Sequence, residues 1–378
     1  MIRVAHIITG LGIGGAEMML YKLLSRMDRN AFDAIVVSLS GEGAVGDLIH
    51  GIGIPIIAME MRGTLRDGLA ELKLTRVIRS YAPDVVQTWM YHANLLGGLA
   101  AKVARPVPII WGLHHGNLRF EGYRRSTPAV ARTSALLSPI LPEIIVCCSE
   151  SSKKSHVELG YAEARMTVIP NGFDPLVFKP DREARLWQRK QLGITDETPV
   201  VGLVGRFHPQ KDHWNFVQAA ALLHRQIREA HFVLAGPGIS WGNQVLANWI
   251  EGAGLRHNFH LLHPPQDIPK LTATFDIATL SSITEAFPNV VGEAMSCGVP
   301  CVVTDVGDAV AMIGETGVVV PVSNPQALAE GWRGMLETGR ENRLYLGKLA
   351  RQRIVEQYSL AGTVASYENL YKRLVSHA

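Results

Sequence analysis

A chain of 378 residues with 47% hydrophobic and 19% charged residues is too long for one ordinary core and too apolar for a disordered protein. Two domains of about 150–200 residues each are expected. A net charge of +3 is too small to argue for nucleic acid, and no apolar run reaches the roughly 18–20 residues of a spanning helix, since Pro139, Pro142 and Glu143 break the oily stretch from Ser134 to Cys148.

The chain opens on a strand-like run, Arg3 to Ile8, with nothing resembling a secretory leader before it, so a cytoplasmic protein is expected. That strand feeds Thr9-Gly-Leu-Gly-Ile-Gly-Gly-Ala-Glu17, where glycines let the backbone approach an anion at a helix start. Gly10, Gly12 and Gly15 satisfy the dinucleotide spacing. A nicotinamide site also wants an acid at the end of the second strand, and here that strand ends Val37-Ser-Leu-Ser40 with Glu42 set in a glycine-flanked loop. A Rossmann oxidoreductase is therefore the weaker reading.

Apolar, β-branched runs alternate with helix-length segments through the first half, at Val4–Ile8, Ile35–Leu39, Ile54–Ala58, Val85–Thr88, Ile109–Trp111, Ile144–Cys148 and Thr167–Ile169. This is the pattern of parallel sheets covered on both faces. Trp89, Tyr91 and His92 follow the fourth strand and are expected to line an acceptor site. The fifth runs into His114-His115-Gly-Asn117, a strand end where ligands sit, and spacing does not choose between the two histidines. The basic, aromatic run from Arg119 to Arg132 suits an anionic membrane face or an acceptor pyrophosphate, and equally an ordinary solvated face.

Between Pro170 and Pro180 three prolines and a glycine mark a linker, expected at 171–180 and suited to a hinge. Alternation restarts at Val200–Gly205, Phe232–Ala235, Phe259–Leu262, Ile277–Leu280, Val299–Thr304 and Gly317–Val320. In Val204-Gly-Arg-Phe-His-Pro-Gln-Lys-Asp212, Arg206 and Lys211 flank a proline turn before a helix, which suits a diphosphate. The sequence holds no Asp-x-Asp pair for a metal, and neither Cys147/Cys148 nor Cys297/Cys301 has zinc spacing. No metal or other cofactor is expected, and the cysteines are expected to be structural.

Further on, Glu285-Ala-Phe-Pro-Asn-Val-Val-Gly-Glu293 places two carboxylates around a helix start, with Pro288 in the first turn and Asn289 as a candidate cap. Backbone N–H groups from Phe287 to Val290 are then free to face a phosphate. Two final helices are expected from about Glu341 to Ser376, separated near Ser359 to Gly362.

The glutamate pair, followed by Cys297-Gly-Val-Pro300 and preceded by the glycine loop, the Arg/Lys turn and Asn171-Gly172 in the same order, resembles retaining glycosyltransferases of family 4. The resemblance implies the GT-B fold: two Rossmann-like, doubly wound parallel-sheet domains facing each other across a cleft. These would span 1–170, joined by a crossover helix at about 359–378, and 181–358. It also implies that Gly14, Arg206 and Lys211 hold the donor's phosphates and that Gly15 and Gly236 bind the donor with them. Glu285 would meet the transferred sugar, Glu293 the ribose, and a histidine of the 114/115 pair the sugar near its reacting carbon.

The expected substrates are a UDP-sugar donor and a glycan or polyprenyl-linked acceptor, with peripheral contact to the inner membrane face and no nucleic acid. Two departures stand out. Ala286 stands where many relatives have glycine, and Leu262-His-Pro-Pro-Gln266 where relatives usually have a glycine-containing turn near the base. A non-catalytic sugar-nucleotide binder and a nucleotide-sugar epimerase share the same architecture.

Overall fold

The computed structural model describes residues 1–61, 67–116, 127–262 and 267–376, with the backbone alone for 67–70. The chain divides into two compact units, Met1–Gly172 with Leu360–Ala378, and Phe173–Ser359.

Unit 1 is a parallel sheet of β1 (Ile2–Ile8), β2 (Phe32–Ser38), β3 (Ile56–Ala58), β4 (Val85–Trp89), β5 (Ile109–Leu113), β6 (Ile144–Cys147) and β7 (Met166–Val168), in the order β3-β2-β1-β4-β5-β6-β7. Unit 2 repeats the plan with β8 (Val200–Val204), β9 (His231–Ala235), β10 (Phe259–Leu262), β11 (Ile277–Leu280), β12 (Cys301–Thr304) and β13 (Val318–Val320), in the order β10-β9-β8-β11-β12-β13. All thirteen expected strands are present, with ends shifted by up to three residues. Their legibility follows from burial on both faces: the central β4 and β5 are buried at every position, so their runs are apolar rather than alternating.

In each sheet the winding reverses direction once, between β1 and β4 and between β8 and β11. Carboxyl ends of strands at such a reversal open a crevice for ligands. The glycine loop leaves β1, the Trp89–His92 segment leaves β4, the Arg206/Lys211 turn leaves β8 and the Glu285 loop leaves β11.

The last helix, Leu360–Ser376, belongs to unit 1 because of its own spacing. Leu360, Val364, Tyr367 and Tyr371 recur at intervals of three and four, and this stripe joins Leu20 and Leu24 of the helix Gly15–Arg26 in one core around Trp89. Burying each such side chain stabilises by roughly 1.5–3 kcal/mol. The Tyr371 hydroxyl, fully buried, donates to Gln87 Oε1 in β4.

All four cysteines are buried thiols outside any disulfide, and burial pushes Cys297 and Cys301 up to about 12. Among the described residues no helix is long and apolar enough to cross a membrane.

Candidate active site

In unit 2 the chain leaves β8 through Gly205, and two loops are stitched together behind the exit. Gly205 N donates to Ala235 O at 2.8 Å and Phe207 N to Pro237 O at 2.7 Å. Gly236, at φ +145°, has no space for a side chain: a Cβ there would lie 2.4 Å from Gly205 O. Gly236, expected to bind the donor, lets a second loop close against the peptide that carries Arg206. Arg206 itself is exposed.

A single tight turn, Pro209–Lys211, follows, and Asp212 at φ +47° caps the helix His213–His224 by accepting from Asn215 N at 3.2 Å. Three hydrogen bonds join this turn to the loop leaving β11. Ile283 N donates to Gln210 O at 2.9 Å, Gln210 Nε2 to Thr284 O at 2.7 Å, and Ser281 Oγ to Lys211 O at 2.7 Å. Across the seam, Lys211 Nζ meets Glu285 Oε1 at 2.5 Å, and Ser282 Oγ donates to the same oxygen at 2.7 Å. The two charged side chains are only 19% and 10% exposed.

The structure therefore brings Lys211, expected to hold the phosphates, and Glu285, expected to meet the transferred sugar, into direct contact. Charge at the exposed edge is left to Arg206. Burial, with Arg206 and Lys211 nearby, lowers the pKa of His208, and burial followed by Lys211 takes His213 to about 4. The His213 imidazole is therefore neutral at pH 7 and adds no charge here.

Ala286 does not carry left-handed backbone, so alanine in place of glycine imposes no strain there. The glycine that is needed is Gly307, at φ +54°, where a Cβ would lie 2.7 Å from Glu285 O and 2.6 Å from Ala286 O. The helix Asn289–Ser296 begins one residue earlier than a cap at Asn289 would require. Pro288 occupies the cap position without a side-chain acceptor, and Asn289 is the first helical residue. Phe287 and Pro288 are buried, Val290 is partly exposed, and Glu293 lies a turn further in, partly buried and lining a small cavity with Val204, Thr279 and Val290.

In unit 1, Gly14 caps the helix Gly15–Arg26 with ordinary extended backbone. A Cβ at Gly14 would lie 2.3 Å from Glu17 Oε2. The chain thus brings its own carboxylate, an acid in the first helical turn, to the helix start where an outside anion was expected. The sequence reading gives Glu17 no role.

Two corrections concern the ends of β4 and β5. Trp89 and Tyr91, expected to line an acceptor site, are 0% and 1% exposed and lie in the core instead. The indole stacks on His114, ring centroids 5.1 Å apart and planes 19° apart, and the phenol on His115 at 4.8 Å and 13°. His92 is partly exposed, while Asn117, the run from Arg119 to Ser126, and His263 to Gln266 lie outside the described residues. Burial lowers His114 to about 4; burial, then His156, His114 and His92, lowers His115 to about 3.

Deeper in the same unit His6 and His156 are 0% and 1% exposed, held at about 3 and about 4 by burial. Their folded pKa values lie below the unfolded value near 6.5, so each contributes stability above that value which is lost as pH falls toward the folded one. Acid is expected to destabilise unit 1 by about 1.4 kcal/mol per pH unit for each ring below pH 6.5. Urea unfolding followed by a unit 1 tryptophan at pH 7.0 and 5.5 tests this, and equal midpoints would refute it.

Two family models match the chain. The model described as Glycosyltransferase Family 4 covers residues 13–175, and that described as Glycosyl transferases group 1 covers residues 198–338. The chain belongs to glycosyltransferase family 4.

Among other members of this broad group, the chain is 24% identical over 311 residues to the Escherichia coli UDP-Gal:alpha-D-GlcNAc-diphosphoundecaprenol alpha-1,3-galactosyltransferase, covering 81% of this chain and 80% of that one. It is 26% identical over 345 residues to the Campylobacter jejuni N,N'-diacetylbacillosaminyl-diphospho-undecaprenol alpha-1,3-N-acetylgalactosaminyltransferase, covering 87% and 88%. The crystal structure of Anabaena HepE in complex with UDP-glucose shares the GT-B fold, with a TM-score of 0.86 at 22% identity over 99% of this chain and 100% of that one. Both strand orders found here are those of two Rossmann-like domains.

Proposed function

We propose that this family 4 protein moves a hexose or N-acetylhexosamine from a UDP-sugar to a hydroxyl of a glycan or polyprenyl-linked acceptor, with retention at the anomeric carbon. The observation that carries the reading is the Lys211–Glu285 pair, fixed between the β8 and β11 exits where the sheet of unit 2 reverses its winding. The diphosphate-undecaprenol substrates named for the Escherichia coli and Campylobacter jejuni relatives support a lipid-linked acceptor.

Chemically, the bond from the anomeric carbon to the diphosphate oxygen breaks as the acceptor oxygen bonds to that carbon on the same face. The proton of the acceptor hydroxyl passes to the departing diphosphate. Arg206 and Lys211 offset the charge that develops on the leaving oxygens, and N–H groups at the start of Asn289–Ser296 add to them. Glu285 holds the lysine in place and accepts from hydroxyls of the sugar, while Glu293 takes the ribose. The phosphates at Gly14 and Gly15 would compete with the Glu17 carboxylate for the same helix start. One neutral imidazole of the 114/115 pair contributes a hydrogen bond, not charge.

The test pairs thermal stabilisation by UDP, UDP-glucose, UDP-galactose, their N-acetyl counterparts, NAD and NADP with detection of released UDP. Stabilisation by UDP and one UDP-sugar with slow UDP release, undiminished by EDTA, is expected. Stabilisation by NAD or NADP alone would refute the reading, and binding without release would favour the non-catalytic binder.

Peripheral membrane contact is part of the same proposal, supported by Leu136, Ile140 and Val103, which are 80%, 69% and 66% exposed near Arg132 and Lys102 in the chain. Failure to sediment with phosphatidylglycerol vesicles would remove that part.

A further inference from the structure

Consecutive residues at the end of a strand face opposite sides of the sheet. His114 and His115 do so after β5, and each meets an aromatic ring from the end of β4. The turn that separates those two rings is strained. Met90, between Trp89 and Tyr91, holds φ +75° and ψ 159°, a region that side-chain-bearing residues rarely enter. Its N–H donates to Gly112 O at 3.1 Å, and Asn94 Nδ2 donates to the same carbonyl at 3.1 Å, so the strained turn is tied directly to the strand that carries the histidines.

The two stacks differ in what lies behind them. Trp89 donates through Nε1 to His6 Nδ1 at 3.3 Å, and the chain of contacts passes into the core. Both ring nitrogens of His114 are buried and meet no polar group. At His115 the same holds of Nδ1 alone.

Behind His115 the polar groups close into a circuit. Ser152 Oγ donates to His115 O at 2.8 Å, and Ser152 O lies 2.7 Å from His156 Nδ1. A carbonyl only accepts, so Nδ1 of this neutral ring carries the proton and Nε2 is the acceptor. The 2.7 Å contact between His156 Nε2 and the Tyr91 hydroxyl is then a hydrogen bond donated by Tyr91. Tyr161 packs edge-on against His156 at 5.1 Å, and Ser149 caps the helix Glu150–Glu158 by accepting from Ser152 N at 3.0 Å. Every member is fixed by a neighbour, and the Tyr91 ring that results lies nearly parallel to His115.

We propose that His115 is the histidine of the pair that meets the donor sugar, and that Tyr91, backed by His156 and Ser152, is its positioning residue. This rests on the glycosyltransfer reading above. A ring serving packing alone needs no defined tautomer behind it: phenylalanine would fill the same space without burying a hydroxyl and an imidazole. The polar circuit makes sense where one ring must be held in one plane at one height, and it grips His115 at both its carbonyl and its face.

The test is a double-mutant cycle on UDP release, using whichever of UDP-glucose, UDP-galactose and their N-acetyl counterparts the full chain turns over. Tyr91→Phe keeps the ring and removes the hydroxyl. It is expected to lower kcat about tenfold with KM for the donor unchanged, and to have no further effect in a His115→Ala background. Additive losses would overturn the positioning role while leaving glycosyltransfer intact. A larger loss from His114→Ala than from His115→Ala would overturn the choice of histidine.

Absence of UDP release from the wild-type chain with every donor would count against the glycosyltransfer reading itself. In that event imidazole nitrogen resonances decide the geometry without turnover. Those of His115 and His156 are expected to move in Tyr91→Phe, and unmoved His115 signals would overturn the proposal.

Discussion

A Lys211→Met variant is expected to release UDP from its UDP-sugar about 10²–10³-fold more slowly than the wild type, the loss typical of one preorganised group that stabilises developing negative charge. Methionine keeps the length and apolar stem of lysine and removes only the ammonium. The same change leaves the Glu285 carboxylate facing the neutral Ser282 Oγ in place of a cation, in a largely buried position, so stability falls as well.

The two effects are separable. In a Lys211→Met, Glu285→Gln double variant no charge is stranded, and the melting temperature is expected to recover toward wild type while turnover does not. Turnover that recovers together with stability would mean that the pair only braces the loop. Full UDP release by Lys211→Met alone would remove Lys211 from the chemistry. A matching series at Arg206 distinguishes its role: being exposed, Arg206→Ala should lower turnover with little change in stability.

Why these residues can be found in the sequence at all follows from the fold. A parallel strand buried on both faces must be an apolar run, and a residue that interrupts the pattern just after such a run sits where ligands bind. Arg206, Lys211, Glu285 and the histidine pair each follow such a run, and the structure places each in the segment that leaves its strand. The pairing of Lys211 with Glu285 is not legible in the sequence, because it joins residues 74 positions apart through loops tied by three hydrogen bonds that each end on a backbone carbonyl.

Trp89 and Tyr91 mislead for a related reason. Polar-tipped aromatics at a strand end suit an open site, whereas stacking on His114 and His115 and hydrogen bonds to His6 and His156 hold them in the core. Asn289 has the chemistry of a cap, yet Pro288 takes that position. Glu17 and His156 give no usable signal, since an acid in a first helical turn and a histidine in a polar helix are each ordinary on their own.

Arg189 is the sharpest case of a residue the sequence hides. In Arg182–Gln191 it reads as one cation among several on a strongly polar helix, yet it is 1% exposed. Its guanidinium donates to Thr274 O at 3.1 and 2.8 Å, to Thr195 O, Asp196 O and Thr198 O at 3.0, 3.0 and 2.7 Å, and to Asp276 Oδ2 at 2.7 Å. Asp276 also accepts from Val200 N and from Arg185, both at 2.8 Å.

Removing one member of such a buried set strands the others, so Arg189→Ala or Asp276→Ala is expected to destabilise unit 2 by about 3–5 kcal/mol, and to lower its melting temperature by about 10 °C or more. Val200 opens β8 and Asp276 immediately precedes β11. The network therefore pins the amino ends of the two strands whose carboxyl ends carry Lys211 and Glu285. Asp276→Asn, which keeps the shape and loses the charge, should fall between wild type and Asp276→Ala in stability. Turnover per folded molecule should stay near wild type in all three, because no member reaches the site. A melting temperature unchanged in Asp276→Ala would show that the strands are held by their apolar cores alone.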